Sequence, residues 1–331
     1  MASYTTRYLA QDGHDQWDEL VSQSPACNIF DTTLWFNTLF SVLNCDIRIL
    51  GVFNKDDLIG GVAFNVIQRF GMKIASVPPL SFYNSCHYIP KKTQYKDKLG
   101  NYIQSILNSI TVRLQEDFHY IVIENHPEFK DIRGFVWNSW DQNVNYTYGI
   151  ALNQFDYPLI SPSKRGWIKK AQKNTIITEE IQDVVQIYDI LKQTYIRQNM
   201  KFPLTLDELS GMCKKISNNI SIRAALRNGI YKAVNIAIID HKKNCVYNLF
   251  NGYESETPGS GANSFLLWET LEYFKNNGFG FFDFGPAGTQ TKASFKSEFC
   301  ADLFPYYRVS KSSSLKFSIV WRLTKGRILQ I

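Results

Sequence analysis

The run Phe295-Lys296-Ser297-Glu298-Phe299 sets one lysine between two aromatic side chains. An ammonium held there in a low dielectric can face a developing negative charge, where one contact is worth several kcal/mol. The alternative is a solvated lysine on a turn. Upstream, Asp283 ends the apolar run 279–284. From that position it can orient or deprotonate an amine, or serve equally as a structural acceptor for backbone N–H groups. Glu298 is a weaker candidate base. This set suits attack of an amine on an activated carbonyl. Such a reaction needs positioning, a place for the oxyanion and a route for the proton. It does not need a Ser-His-Asp triad, and none is legible.

Three further groups could hold the reactants. Pro258-Gly259-Ser260-Gly261-Ala262 lies between a strand and a helix start. Small residues there free N–H groups at the positive end of a helix dipole for a phosphate, so Gly259, Ser260, Gly261 and Ala262 are candidate donor-binding residues; the bland reading is a turn that starts a helix. Arg165, Lys169 and Lys173 recur every fourth residue on one helical face, apart from Trp167, Ile168 and Ala171. They suit a diphosphate or a tRNA acceptor stem, or form an ordinary solvated face. Tyr83, with His87 and Tyr88, falls in a proline-bounded segment expected to line a cleft, while Asn251 and Tyr253 precede the glycine turn and suit substrate positioning. Cys86 beside His87 is discounted as a nucleophile, because neighbours on an extended segment point opposite ways.

The elements that must position these groups follow from periodicity. Residues 15–24 and 32–43 read as helices, 46–53, 58–67 and 71–77 as strands, 95–115 as a long helix and 120–124 as a buried strand. The order then repeats: helices at 184–198 and 205–215, strands at 221–226, 230–240 and 245–253, a helix at 261–276, and strands at 279–284 and 304–309, the last closing the second sheet. Turns at 54–57 and Asn228-Gly229 mark hairpins. Helix, helix, three strands, helix, strand thus occurs twice. The seam falls in the proline-bearing stretch 153–162. The expectation is α+β, with an acceptor-side domain at 1–155 and a donor-binding, catalytic domain at 156–331.

Bulk composition agrees. A chain of 331 residues suits two cores, and 44% hydrophobic with 20% charged residues is ordinary for a globular protein. The net charge of +6 fits anionic ligands but is far from that of a dedicated nucleic-acid binder. Six scattered cysteines and five histidines show no metal-ligand spacing, so no metal is expected. No apolar run is long enough to span a bilayer and no signal-type segment is visible, which predicts a cytoplasmic protein with reduced thiols. The basic, apolar tail 314–331 reads as a packed helix, with peripheral membrane contact as the alternative.

The ordered series Tyr247–Tyr253, Pro258–Ala262, Phe281-Phe282-Asp283-Phe284-Gly285, Ala293–Phe299 and Tyr306–Arg308 resembles the Fem-like family of peptidoglycan bridge aminoacyltransferases and their acyl-CoA-using relatives. The basic helix 163–173 and the segment Val77–Tyr83 are similar to family segments too. The resemblance implies two tandem GNAT-like domains, each a mostly antiparallel mixed sheet flanked by helices, and gives Lys296 the role of the family's box lysine. It implies an N-acyltransferase without a permanently bound cofactor, acting on an amine of a cell-envelope sugar or peptide precursor, small or lipid-linked. The co-substrate is acyl-CoA or aminoacyl-tRNA. The absence of a coiled-coil insertion for tRNA docking ranks acyl-CoA first. A Fem-type peptidyltransferase and a non-catalytic tandem-GNAT binding protein are the alternatives.

Overall fold

The computed structural model describes residues 4–254 and 260–313. Gly259 and Pro258 of the expected donor turn, and the tail 314–331 with its expected helix or membrane contact, lie outside the described residues. The chain separates into two compact units, 1–145 together with the stretch from Pro305 onward, and 146–304.

In the first unit the order is β1 (Thr5–Tyr8), α1 (His14–Gln23), α2 (Thr33–Leu43), β2 (Ile47–Asn54), β3 (Asp57–Arg69), β4 (Met72–Ser76), β5 (Cys86–Tyr88), α3 (Lys96–Asp117), β6 (Tyr120–Glu124) and α4 (Arg133–Trp137). Thr32 caps α2 through its side chain, and Asn44 ends it in the left-handed conformation that short polar side chains tolerate. The expected hairpin closes at Asn54 opposite Asp57. Strands run β1-β2-β3-β4-β6, with β5 on the β3 edge, and β4 and β6 are parallel. Ile103, Ile106, Leu107, Ile110 and Leu114 of α3 pack on Val62, Phe64, Ile121 and Ile123 of the sheet.

In the second unit, β7 (Asp141–Ala151, from Tyr146) leads to α5 (Pro162–Lys173), β8 (Ile177–Glu180), α6 (Val185–Arg197), α7 (Leu206–Lys215), β9 (Ile220–Arg227), β10 (Ile230–Asp240), β11 (Cys245–Tyr253), α8 (Ala262–Asn276), β12 (Phe281–Pro286) and α9 (Gln290–Ser297). Thr205 and Glu208 form a reciprocal capping box on α7. Strands lie in the order β7-β12-β11-β10-β9-β8, antiparallel throughout except β11 with β12.

The last strand, β13 (Asp302–Ser312), is longer than the expected 304–309, and its Arg308–Ser312 pair antiparallel with Tyr120–Glu124 of β6.

Candidate active site

The site grows from the one parallel pair of the second unit. β11 and β12 pair only at Cys245–Phe281, Val246–Phe282 and Tyr247–Asp283. On its other side β12 pairs with β7 from Phe281–Ala151 to Pro286–Thr147, with an irregularity between Asp283 and Pro286. The stretch of β11 from Asn248 to Tyr253 therefore keeps β10 on one side and, among the described residues, has no strand on the other. An open edge of this kind offers backbone N–H and C=O groups to an extended ligand.

Asp283 sits at the vertex of this splay and is 2% exposed. Its Oδ1 accepts from the Thr147 hydroxyl at 2.6 Å and from the Gly285 N–H at 2.7 Å. The carboxylate pins the departing backbone, where Gly285 adopts φ +78°. These bonds are those of a structural acceptor, and the carboxylate is buried. A test follows. Asp283→Ala, which strands a buried hydroxyl and a buried N–H, should cost about 2–4 kcal/mol in chemical denaturation. Asp283→Asn, which retains the Oδ1 acceptor, should fold and keep kcat within about tenfold; a loss above about a thousandfold in a folded Asn variant would make Asp283 the base.

Lys296 comes from the last turn of α9, capped at its start by Thr289. Its Nζ donates to the carbonyls of Gly285 at 2.7 Å and Pro286 at 2.8 Å, so the ammonium closes the end of β12 directly after Asp283. An ammonium has three N–H donors, which leaves one for a ligand. Burial lowers its pKa from 10.5 to about 8, against the opposing pull of Asp283. The lysine is half-buried, not a freely solvated side chain.

Helix α5 ties this end to the glycine turn. The Ser161 N–H donates to the Glu298 carbonyl at 2.9 Å, and Ser161 caps α5 with Pro162 in its first turn. Lys164 pairs with Glu298 at 3.2 Å and lies over the Phe295 ring at 4.4 Å. Glu298 is thus engaged as an anchor, not free as a base. Farther along α5, the Trp167 carbonyl approaches Gly261 so closely that a Cβ there would lie 2.1 Å from it. Gly261 takes φ +80° and opens α8, and the Ala262 N–H donates to the Ser260 hydroxyl oxygen at 3.3 Å. Close packing of α5 on α8 is therefore one reason for the glycine.

The remaining expected residues are placed as follows. Arg165 is half-buried, while Lys169 and Lys173 are exposed on α5, with Ile168 and Ala171 turned into the core. Asn251 accepts from the Asn235 amide at 2.7 Å, and that same amide donates to Asn248 at 2.6 Å. Tyr253 is exposed, with the Arg197 guanidinium over its ring at 4.8 Å. Tyr83 does not line a cleft. It is fully buried in the first unit, edge-on to His126 and Tyr306. His87 is buried too, against Asp31 at 2.9 Å, and burial pushes the Cys86 thiol pKa up, which agrees with discounting it. Among the described residues no three His, Cys, Asp or Glu side chains group as metal ligands. Sequence reasoning missed Lys164, Thr147, Asn235 and Arg197. Only Lys164 had a legible signal, as the start of a basic helix.

Residues 165–297 match the acetyltransferase (GNAT) domain. No curated protein matches the sequence. Among solved structures, FemX aligns over 96% of this chain and 99% of its own, with a TM-score of 0.65 and 11% identity. The C-terminal domain of a putative lysylphosphatidylglycerol synthetase from Agrobacterium fabrum covers 96% of each chain at 0.60 and 11%. A tandem GNAT protein from the clavulanic acid biosynthesis pathway covers 94% of this chain and 99% of its own at 0.57 and 8%. The fold is therefore α+β with two tandem GNAT-like domains, and the domain match over residues 165–297 supports acyl transfer as the chemistry.

Proposed function

We propose that this Fem-like tandem-GNAT chain is an N-acyltransferase that moves an acyl group from acyl-CoA to an amine of a cell-envelope sugar or peptide precursor. The observation that carries the reading is the half-buried Lys296 ammonium, fixed by two carbonyls with one N–H to spare, at the end of the splayed strand pair. An extended donor whose arm carries amide groups can pair with the open edge of β11, as an added strand would. Its carbonyl then meets the free N–H of Lys296. The amine attacks, a C–N bond forms and the carbonyl electrons move to oxygen, where the ammonium stabilises them. Collapse breaks the C–S bond, and the proton lost from the amine ends on the departing thiolate. The sugar or peptide nature of the acceptor rests on the resemblance to the Fem-like family carried by Phe281–Gly285 and Ala293–Phe299 rather than on a contact. A cytoplasmic location fits a CoA donor, and no described helix is long and apolar enough to cross a membrane.

A specific feature supports aminoacyl-tRNA as the second reading: the exposed basic stripe of Lys169 and Lys173 with Arg165 on α5. Isothermal titration separates the two. Acetyl-CoA should bind with micromolar affinity, and transfer RNA, charged or not, should show no saturable heat. Tight tRNA binding with a steep salt slope would reverse the choice of donor. Binding of neither, together with no transfer from any donor class, would make the chain a non-catalytic binding protein.

A further inference from the structure

Outside the transfer site, the first unit holds a cavity of about 610 Å³ between α3 and α4, with Tyr4 and Lys91 on its flank. That volume is in the range of small-ligand pockets. Its floor is a stripe of α3: Asn101, Gln104, Ser105 and Asn108, spaced i, i+3, i+4, i+7. Helix faces covered by a second helix are normally apolar. Here Gln104 and Ser105 are each 8% exposed and polar, while the apolar stripe of the same helix faces the core.

The orientation of Gln104 is determined by its partner. Its Nε2 donates to Asp131 at 3.0 Å, and Asp131 is itself held by Arg133 at 2.7 Å. The Gln104 Oε1 is buried without a donor and packs against α4, where a Cβ on Gly134 would sit 2.9 Å from Oε1 and 2.6 Å from the Leu107 Cβ. The Asn138 amide donates to the Gly134 carbonyl at 2.6 Å. Trp137 stands 67% exposed at the rim with Arg133 over its ring at 5.4 Å. Two exposed cations share that rim, Lys91 over the Tyr102 ring at 4.1 Å and Lys98 over the Tyr95 ring at 4.4 Å.

We propose that this groove is a binding site for an anionic saccharide. Hydroxyl groups both donate and accept, as a wall of amide and hydroxyl side chains requires; a sugar ring offers its C–H face to the exposed tryptophan; and a carboxylate or phosphate substituent meets Lys91 and Lys98. The site lies wholly within the first unit and does not depend on the transfer reading.

Titration calorimetry and saturation-transfer NMR on the full chain would use glucuronate, glucose 1-phosphate, glucose and inorganic phosphate as probes. The two charged sugars should bind, glucose at least fivefold more weakly, and phosphate alone not measurably. A preference between glucuronate and glucose 1-phosphate tells a sugar acid from a sugar phosphate. Trp137→Ala, an exposed change, should lower affinity tenfold or more. Trp137→Ala should leave transfer to a small amine unchanged, so that failure here is distinct from failure of the transfer reading. Phosphate binding as well as the sugars would reduce the site to surface charge and overturn the proposal. So would saccharide binding that Trp137→Ala does not touch, or no binding by any sugar.

Discussion

Replacing Lys296 by methionine should lower kcat by about a hundred- to a thousandfold, the usual cost of losing one oxyanion donor, while the protein stays folded. Methionine keeps most of the volume of the side chain but loses the two bonds to the Gly285 and Pro286 carbonyls and the free N–H. The wild-type pH profile carries a second test. The active form is the ammonium, and its pKa is lowered to about 8 by burial. Activity should therefore rise as the acceptor amine loses its proton, then fall again above about pH 8, and the alkaline limb should be missing from Lys296→Met. Asp283 holds that pKa up, so in Asp283→Asn the limb should move to lower pH. A Met variant with full activity would remove Lys296 from the mechanism.

The same lysine makes a stability prediction whose sign follows from linkage. In the unfolded chain it titrates near 10.5, and in the folded chain near 8. Between these values the unfolded state binds more protons, so the contribution of Lys296 to stability rises with pH across that window. Below about pH 8 both states are protonated, and the folded protein bears the full desolvation penalty, at most about 3 kcal/mol. Denaturation midpoints of wild type and Lys296→Met should therefore diverge in favour of the wild type from pH 8 to 10.5. A constant difference over that range would contradict the burial of the ammonium.

The doubled order of elements was legible because long amphipathic helices and apolar strands impose their periods on the residues, as in α3 and in β9 to β11. What escaped was short or mixed in character. β5 has three residues, α4 five, and β7 begins Asp141-Gln142-Asn143, with exposed residues where a core strand would be apolar. The partner of β13 was not legible at all, since pairing across some 180 residues leaves no local pattern. Of the candidate site, Lys296 and Asp283 were singled out by type and position, yet the bonds that hold each of them were not legible. Only coordinates show that Asp283 spends its Oδ1 on Thr147 and Gly285. Tyr83 was misplaced because an aromatic side chain beside prolines suits a cleft and a core equally well.

Gly261→Ala should be among the most damaging single-methyl changes in the second unit, costing about 3 kcal/mol or more. Two penalties coincide there. The backbone is at φ +80°, where an L-residue pays about 1–2 kcal/mol. The new Cβ would also lie 2.1 Å from the Trp167 carbonyl oxygen and 2.9 Å from its carbon, both rigid backbone atoms, so α5 and α8 must move apart. Gly229 provides the control: it has φ +75° in the β9–β10 turn, with nothing within 4 Å of a Cβ, so Gly229→Ala should show the conformational penalty alone. The difference between the two variants in urea denaturation measures the helix contact. Because α5 also anchors α9 through Ser161 and Lys164 at Glu298, displacement at Gly261 should reach Lys296. A Gly261→Ala protein that remains folded should therefore lose kcat as well as donor affinity, whereas a turn that served only to bind the donor would raise KM alone.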